Sequence, residues 1–129
     1  MITRGVHAPP ATVCFLLLAA MLSLTGRAAG QDASAGKGVF ARRCSGCHAP
    51  DANKEGPLLR GVLDRRAGTA PGFQYSDALR NSGIVWNESL IAKWLENPQA
   101  VVANNDMEFR VRDADERAAV IAYLKSLPN

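Results

Sequence analysis

Cys44-Ser45-Gly46-Cys47-His48 is the stretch on which the reading of this chain turns. Two thiols two residues apart match the two vinyl groups of a haem, and a histidine directly after the second reaches the iron from the same side. A Cys-x-x-Cys pair also occurs as a redox dithiol, as half of a zinc site, or as a disulfide in an exported protein. A structural zinc site needs four ligands, yet after residue 30 these two cysteines and His48 are the only residues of their types. A redox dithiol usually accompanies a βαβ pattern, and none is present. The reading is one covalently bound haem c.

Ahead of the motif, Arg4 and His7 precede an apolar run from Ala11 to Leu24, followed by small residues through Gly30. That is the layout of a secretory signal peptide. Its apolar run of 14 residues is short of the roughly twenty that span a bilayer. Residues 1–30 are therefore expected to be removed, with the cut near residues 28–30 and Gly30 favoured. Residues 31–129 are expected to form one exported, periplasmic domain with no stable membrane insertion. Cys14 lies early in the apolar run, the wrong place for a lipid-modified cysteine, and leaves with the signal.

All 12 acidic residues and all but two of the 15 basic ones lie beyond Gly30, so the exported domain is close to neutral although the whole chain carries +3. Basic residues gathered on one face would mark a nucleic-acid or membrane footprint, and these are scattered. The sequence shows no repeat and no low-complexity tract. A domain this short buries only about two-thirds of its unfolded surface, so a large apolar cofactor at its centre would add stability.

Helical signals flank the motif and recur towards the C-terminus. Before it, Asp32 or Ser34 is placed to cap a helix carrying Val39 and Phe40; Gly36 and Gly38 lower its propensity and suggest close packing. Asn87 caps a second helix, with Leu90, Ile91, Trp94 and Leu95 on one face until Pro98 stops it. Asp113 caps the last, with Glu116 three residues on as in a capping box, then Val120, Ile121, Leu124 and Leu127 at helical spacing, ended by Pro128. A short helix is expected over Ser76 to Asn81. The stretch from Asn53 to Phe73, punctuated by Gly and Pro, reads as long ordered loop, and such loops in a compact domain usually wrap something. No segment alternates long enough to be a strand, so the class is all-α.

A haem held on both faces needs a ligand opposite the histidine. Met1 and Met21 belong to the signal, which leaves Met107. A lone methionine is more often core filler; the haem motif reverses that weighting.

At this point the chain resembles the class I c-type cytochromes, mitochondrial cytochrome c and its bacterial periplasmic relatives, from Gly36 almost to the C-terminus. The carrying segments are Gly36-Lys37-Gly38-Val39-Phe40, the Cys-x-x-Cys-His motif, Gly56-Pro57-Leu58-Leu59, Ala70-Pro71-Gly72-Phe73-Gln74-Tyr75-Ser76-Asp77-Ala78, Gly83-Ile84-Val85-Trp86, Leu95-Glu96-Asn97-Pro98, and Glu116-Arg117-Ala118 through Ile121-Ala122-Tyr123-Leu124. The resemblance implies a cytochrome c fold whose terminal helices pack together, Gly36 and Phe40 against Val120 and Tyr123. It implies that Met107 is the sulfur ligand and that the Pro57 carbonyl accepts a hydrogen bond from His48. It further implies that Arg65, Tyr75 and Trp86 address a haem propionate and that Leu59, Leu95 and Phe109 wall the haem. By themselves, Tyr75 and Trp86 read as core aromatics.

Departures from that pattern are specific. Leu79 stands where relatives often carry an asparagine, and Trp94 where a tyrosine usually donates to the methionine sulfur. Asp64 replaces a glycine before Arg65, which predicts a different local turn. Ala103-Asn104 replaces a Pro-Gly ahead of the ligand, which predicts a looser methionine loop. Gln99, Ala100 and Asp106 occupy positions where mitochondrial relatives carry lysines around the exposed haem edge, leaving Arg43 and Arg112 as positive charge there.

The function expected from these residues is one-electron outer-sphere transfer between redox protein donors and acceptors, by a monomer that transforms no substrate. Two alternatives stand beside it. One is a five-coordinate haem sensor or peroxidase-like protein whose Met107 loop opens, and the other a cytochrome subunit dedicated to one dehydrogenase.

Overall fold

A computed structural model of the protein describes residues 33–127. The signal segment, its cleavage site and the Asp32 cap lie outside them. Five helices follow in order: α1 (Ala33–Arg43), α2 (Asp77–Arg80), α3 (Glu88–Glu96), α4 (Pro98–Val101) and α5 (Ala114–Ser126). Among the described residues there is no strand, only an isolated antiparallel bridge between Arg66 and Val85. The fold is all-α, as expected.

Helix α5 begins where its cap predicts. The Asp113 carboxylate accepts from the backbone N–H of Asp115 and Glu116 at 2.8 and 2.9 Å, satisfying two of the donors a helix start leaves open. The reciprocal half of the capping box is not made; Glu116 turns instead to Arg43 of α1, 3.0 Å away. Ser34 lies inside the first turn of α1 rather than at its cap. Asn87 and Ser76 cap α3 and α2 with their side-chain oxygens.

Pro98 does not simply end a helix. Asn97 is extended (φ −158°, ψ 93°) and Pro98 opens the separate turn α4. Proline's fixed φ suits a first helical position, where its missing N–H costs nothing, so one residue serves as stop for α3 and start for α4.

Helices α1 and α5 pack face to face around Gly36. A Cβ at Gly36 would stand 2.0 Å from the Ala119 carbonyl oxygen and 2.8 Å from the Tyr123 Cβ, so only hydrogen permits this approach. Phe40 and Tyr123 meet with ring centroids 5.2 Å apart, and Val120, at the centre, is almost fully buried. Val39, Trp86, Ile91, Trp94, Leu95 and Val111 join them in one continuous core.

Candidate haem site

The motif is an extension of α1. Cys44 and Ser45 N–H both return to the Phe40 carbonyl, and His48 N–H to that of Cys44 at 2.8 Å, so the chain keeps turning as it delivers the two sulfurs and the imidazole. Cys44 is half-buried, Cys47 exposed, and the two are not joined. Burial pushes the Cys44 thiol up to about 11 against the opposing charge of Arg43. The Lys54 ammonium closes over the turn onto the Ser45 carbonyl.

His48 is fixed from two sides. Its Nδ1 lies 2.9 Å from the Pro57 carbonyl oxygen. A carbonyl only accepts, so Nδ1 carries the proton. Burial moves the ring's pKa down, the Pro57 bond opposes this, and the Lys54 charge adds to it. The ring is thus neutral, with the lone pair on Nε2 free for a metal. Against its flat side lies Gly56, where a Cβ would fall 2.2 Å from His48 Cε1. Gly56 N–H bonds the Cys47 carbonyl at 2.8 Å, tying this loop to the motif.

Met107 is held by two groups. Its sulfur accepts from the Trp94 indole N–H at 3.0 Å, and its backbone N–H bonds the Asn105 side-chain oxygen at 2.7 Å. Trp94 in turn packs edge-on to Trp86, with ring centroids 5.1 Å apart. The sequence flagged Trp94 as a departure; the structure puts an N–H donor there in place of a phenol. The expected loosening at Ala103-Asn104 finds no counterpart in the bonding. Asn104 adopts φ 63°, a left-handed conformation asparagine tolerates better than most residues, and its N–H is bonded by Gln99 at 3.0 Å. Asp64 takes φ 62° in the same way. Its N–H reaches the Trp86 carbonyl at 2.8 Å, so the turn forms without the glycine.

Arg65, Tyr75 and Trp86 come together through that turn. Trp86 N–H bonds the Arg65 carbonyl at 3.0 Å. The Arg65 guanidinium donates to the carbonyls of Leu58 and Arg60 at 2.9 and 3.1 Å, which leaves part of its five-donor fork for an anion. Burial moves the Arg65 pKa down and the Tyr75 pKa up, and each group counts among the charges felt by the other. The Tyr75 hydroxyl accepts from Ala70 N–H at 3.3 Å. Cys44, Leu59, Leu79 and Met107 line the edge of the core that contains Trp86 and Leu95. Phe109 is the exception among the expected wall residues, standing 47 % exposed. Gln99 and Asn105 were not foreseen as site residues, because the bonds their carboxamides make to the loop backbone appear only once it is folded. A separate open groove of about 700 Å³, between the 61–64 turn and the ends of α3 and α5, includes Asp64 in its lining but none of the residues expected to hold the haem.

The donor set suits a covalent haem: two free thiols at vinyl spacing, an imidazole with an open Nε2, and an anchored thioether. A helical fold with packed terminal helices and this set of donors defines the covalent-haem electron-transfer proteins. The chain belongs to the cytochrome c family: the family model described as cytochrome c matches residues 33–128. Cytochrome c2 of Blastochloris viridis is 43 % identical over 102 residues, 76 % of this chain and 80 % of the relative. Cytochrome c type-1 of Ascaris suum is 41 % identical over 97 residues, 73 % of this chain and 87 % of the relative. Among solved structures, cytochrome cH from Methylobacterium extorquens superposes with a TM-score of 0.69 at 38 % identity, covering 74 % of this chain and 98 % of that one. The protein is a single-haem electron carrier whose cofactor is one covalently attached haem c.

Proposed function

We propose that Cys44 and Cys47 would hold the haem through thioethers, that His48 Nε2 and Met107 Sδ would bind its iron, and that the exported, monomeric domain shuttles single electrons between redox proteins without transforming a substrate. The observation carrying this reading is the fixed imidazole: Nδ1 spent on the Pro57 carbonyl at 2.9 Å, the ring lying on Gly56, Nε2 left open.

When bound, the haem supplies an iron that alternates between ferric and ferrous. The Pro57 carbonyl orients the imidazole and raises its basicity. Trp94 and Asn105 hold the thioether in place, which favours the carrier over a loop-open sensor. Burial among Leu59, Trp86, Trp94 and Leu95 would exclude water from the group and disfavour the additional charge of the ferric state, which together with a sulfur ligand calls for a positive potential. Arg65, Tyr75 and Trp86 are assigned to a propionate, whose charge the remaining donors of the Arg65 fork would meet. Phe109, an exposed aromatic two residues beyond Met107, is suited to lie against the macrocycle.

Secretion follows from the reading of residues 1–30. Among the described residues no helix is long and apolar enough to cross a membrane. Ferric and ferrous spectra of the mature, haem-loaded protein, taken with a redox titration, test the assignment. Low-spin spectra in both states, a positive potential and no carbon monoxide binding at neutral pH are expected. A high-spin resting state or ready carbon monoxide binding overturns it.

A further inference from the structure

Gln99 lies in α4, just ahead of the loop that carries Met107, and its carboxamide spans that loop's most unusual residue. Its Oε1 accepts from Asn104 N–H at 3.0 Å, and its Nε2 donates to the Asn105 carbonyl at 2.8 Å. One planar amide thus takes up the backbone groups on both sides of the peptide joining Asn104, with φ 63°, to Asn105. Asn105 passes the restraint on. Only 6 % exposed, it donates from Nδ2 to the Val102 carbonyl at 2.7 Å and accepts on Oδ1 from Met107 N–H at 2.7 Å. Two hydrogen bonds, through Asn105, connect Gln99 to the backbone of Met107, and the bonds to Asn104 N–H and the Val102 carbonyl brace that path.

We infer that Gln99 and Asn105 form a carboxamide latch that keeps the Met107 loop closed and so sets how seldom the sulfur leaves the iron. The inference rests on Met107 being an axial ligand. Gln99 bonds the loop backbone at Asn104 and Asn105; it is a positioning residue acting through Asn105. The physical basis is additive. A left-handed asparagine is a less populated conformation, and each hydrogen bond to a peptide group of the loop favours the closed form over an open one in which water takes its place. Trp94 holds the sulfur end of the same residue, so the backbone latch and the side-chain anchor work on Met107 from opposite directions.

Imidazole added to the ferric, haem-loaded protein competes with Met107, and its apparent affinity scales with the fraction of open molecules. Gln99→Ala should bind imidazole about tenfold more tightly than wild type, as expected for two lost hydrogen bonds. Gln99→Glu keeps the acceptor for Asn104 N–H and loses the donor to Asn105, and should fall between them; it carries the comparison if Gln99→Ala fails to load haem. Hydrogen exchange at the Asn104 and Met107 amides should accelerate in the same order. Ile121→Val, which loosens the α1–α5 core elsewhere, controls for general destabilisation and should bind imidazole as wild type does. If Met107→Ala binds tightly while Gln99→Ala and Gln99→Glu behave as wild type, the latch is refuted and the axial reading stands. The latch is refuted equally if Ile121→Val binds as tightly as Gln99→Ala. If Met107→Ala binds no better than wild type, the axial reading fails and the latch with it.

Discussion

The indole N–H of Trp94 donates to the sulfur of Met107 at 3.0 Å, and the two residues lie on separate elements, α3 and the loop after α4. A donor aimed at a ligand sulfur draws electron density from it and weakens its donation to ferric iron more than to ferrous. Trp94→Phe keeps most of the packing against Trp86 and removes the donor. Its reduction potential should fall by about 20–40 mV, the equivalent of a differential hydrogen bond of about 0.5–1 kcal/mol. Spectroelectrochemical titration decides this, and an unchanged or higher potential contradicts it.

Removing the sulfur is a larger change. Met107→Ala should retain covalent haem, because Cys44, Cys47 and His48 are untouched, while the optical spectrum moves towards high spin and the potential drops well beyond the Trp94→Phe shift. A spectrum and potential identical to wild type would show that another group ligates the iron.

Two glycines offer a test of fold against site. Gly36→Ala places a methyl 2.0 Å from the Ala119 carbonyl, and since that neighbour is backbone, relief requires α1 and α5 to part. A loss of about 3 kcal/mol or more in denaturant unfolding is expected, at the upper end of overpacking costs. Gly46, inside the motif, has nothing within 4 Å of the place a Cβ would take. Gly46→Ala should therefore load haem and unfold at the wild-type denaturant concentration.

Acid sensitivity should register the loop between His48 and Pro57. Asp51 pairs with Arg60, and the guanidinium holds the carboxyl below its usual range. A carboxyl whose pKa is lower folded than unfolded stabilises above about pH 3.9, and that contribution fades as pH falls through the lowered folded value. Asp51→Asn should accordingly be slightly less stable than wild type at neutral pH, with the difference closing in strong acid. Because the pair is solvent-exposed, added salt should shrink it. Stability curves that stay parallel down to the lowest pH would count against the pairing.

Much of this architecture was legible in the residues, for local reasons. Caps at Asn87 and Asp113 act within three residues, and the Cys-x-x-Cys-His spacing is dictated by the group it binds. Gly36 announced a close helix contact because glycine lowers helix propensity and needs a compensating reason to be there. Harder to read were features set by partners distant in the chain. Glu116 looked like half of a capping box, yet Arg43, 73 residues away, takes its carboxylate. Pro98 looked like a stop, because its second use as a helix start depends on the extended Asn97. The glycines missing before Arg65 and Met107 suggested altered turns, whereas Asp64 and Asn104 adopt the left-handed conformation themselves. Gln99 gave no sign of its part, since a carboxamide's two bonds appear only once the loop is folded.

Arg43 also bears on how the protein meets its partners. The resemblance to mitochondrial cytochrome c, with its ring of lysines at the haem edge, would put Gln99, Ala100 and Asp106 at the corresponding places. Of the two remaining cations, Arg43 is committed to Glu116 at 3.0 Å, with Arg42 at 4.0 Å from the same carboxylate. The field this cluster projects at long range is reduced accordingly. Electrostatic steering acts on the rate of encounter and is screened over roughly 10 Å at 0.1 M salt. Bimolecular electron transfer to an acidic redox protein should therefore decline only about twofold to threefold between 10 and 200 mM salt, where a strongly steered pair loses an order of magnitude or more. Glu116→Gln frees Arg43 and Arg42, and should steepen that dependence without moving the reduction potential appreciably. Stopped-flow rates at several ionic strengths measure both slopes; a steep slope in wild type, or none added by Glu116→Gln, would place the docking charge elsewhere on the surface.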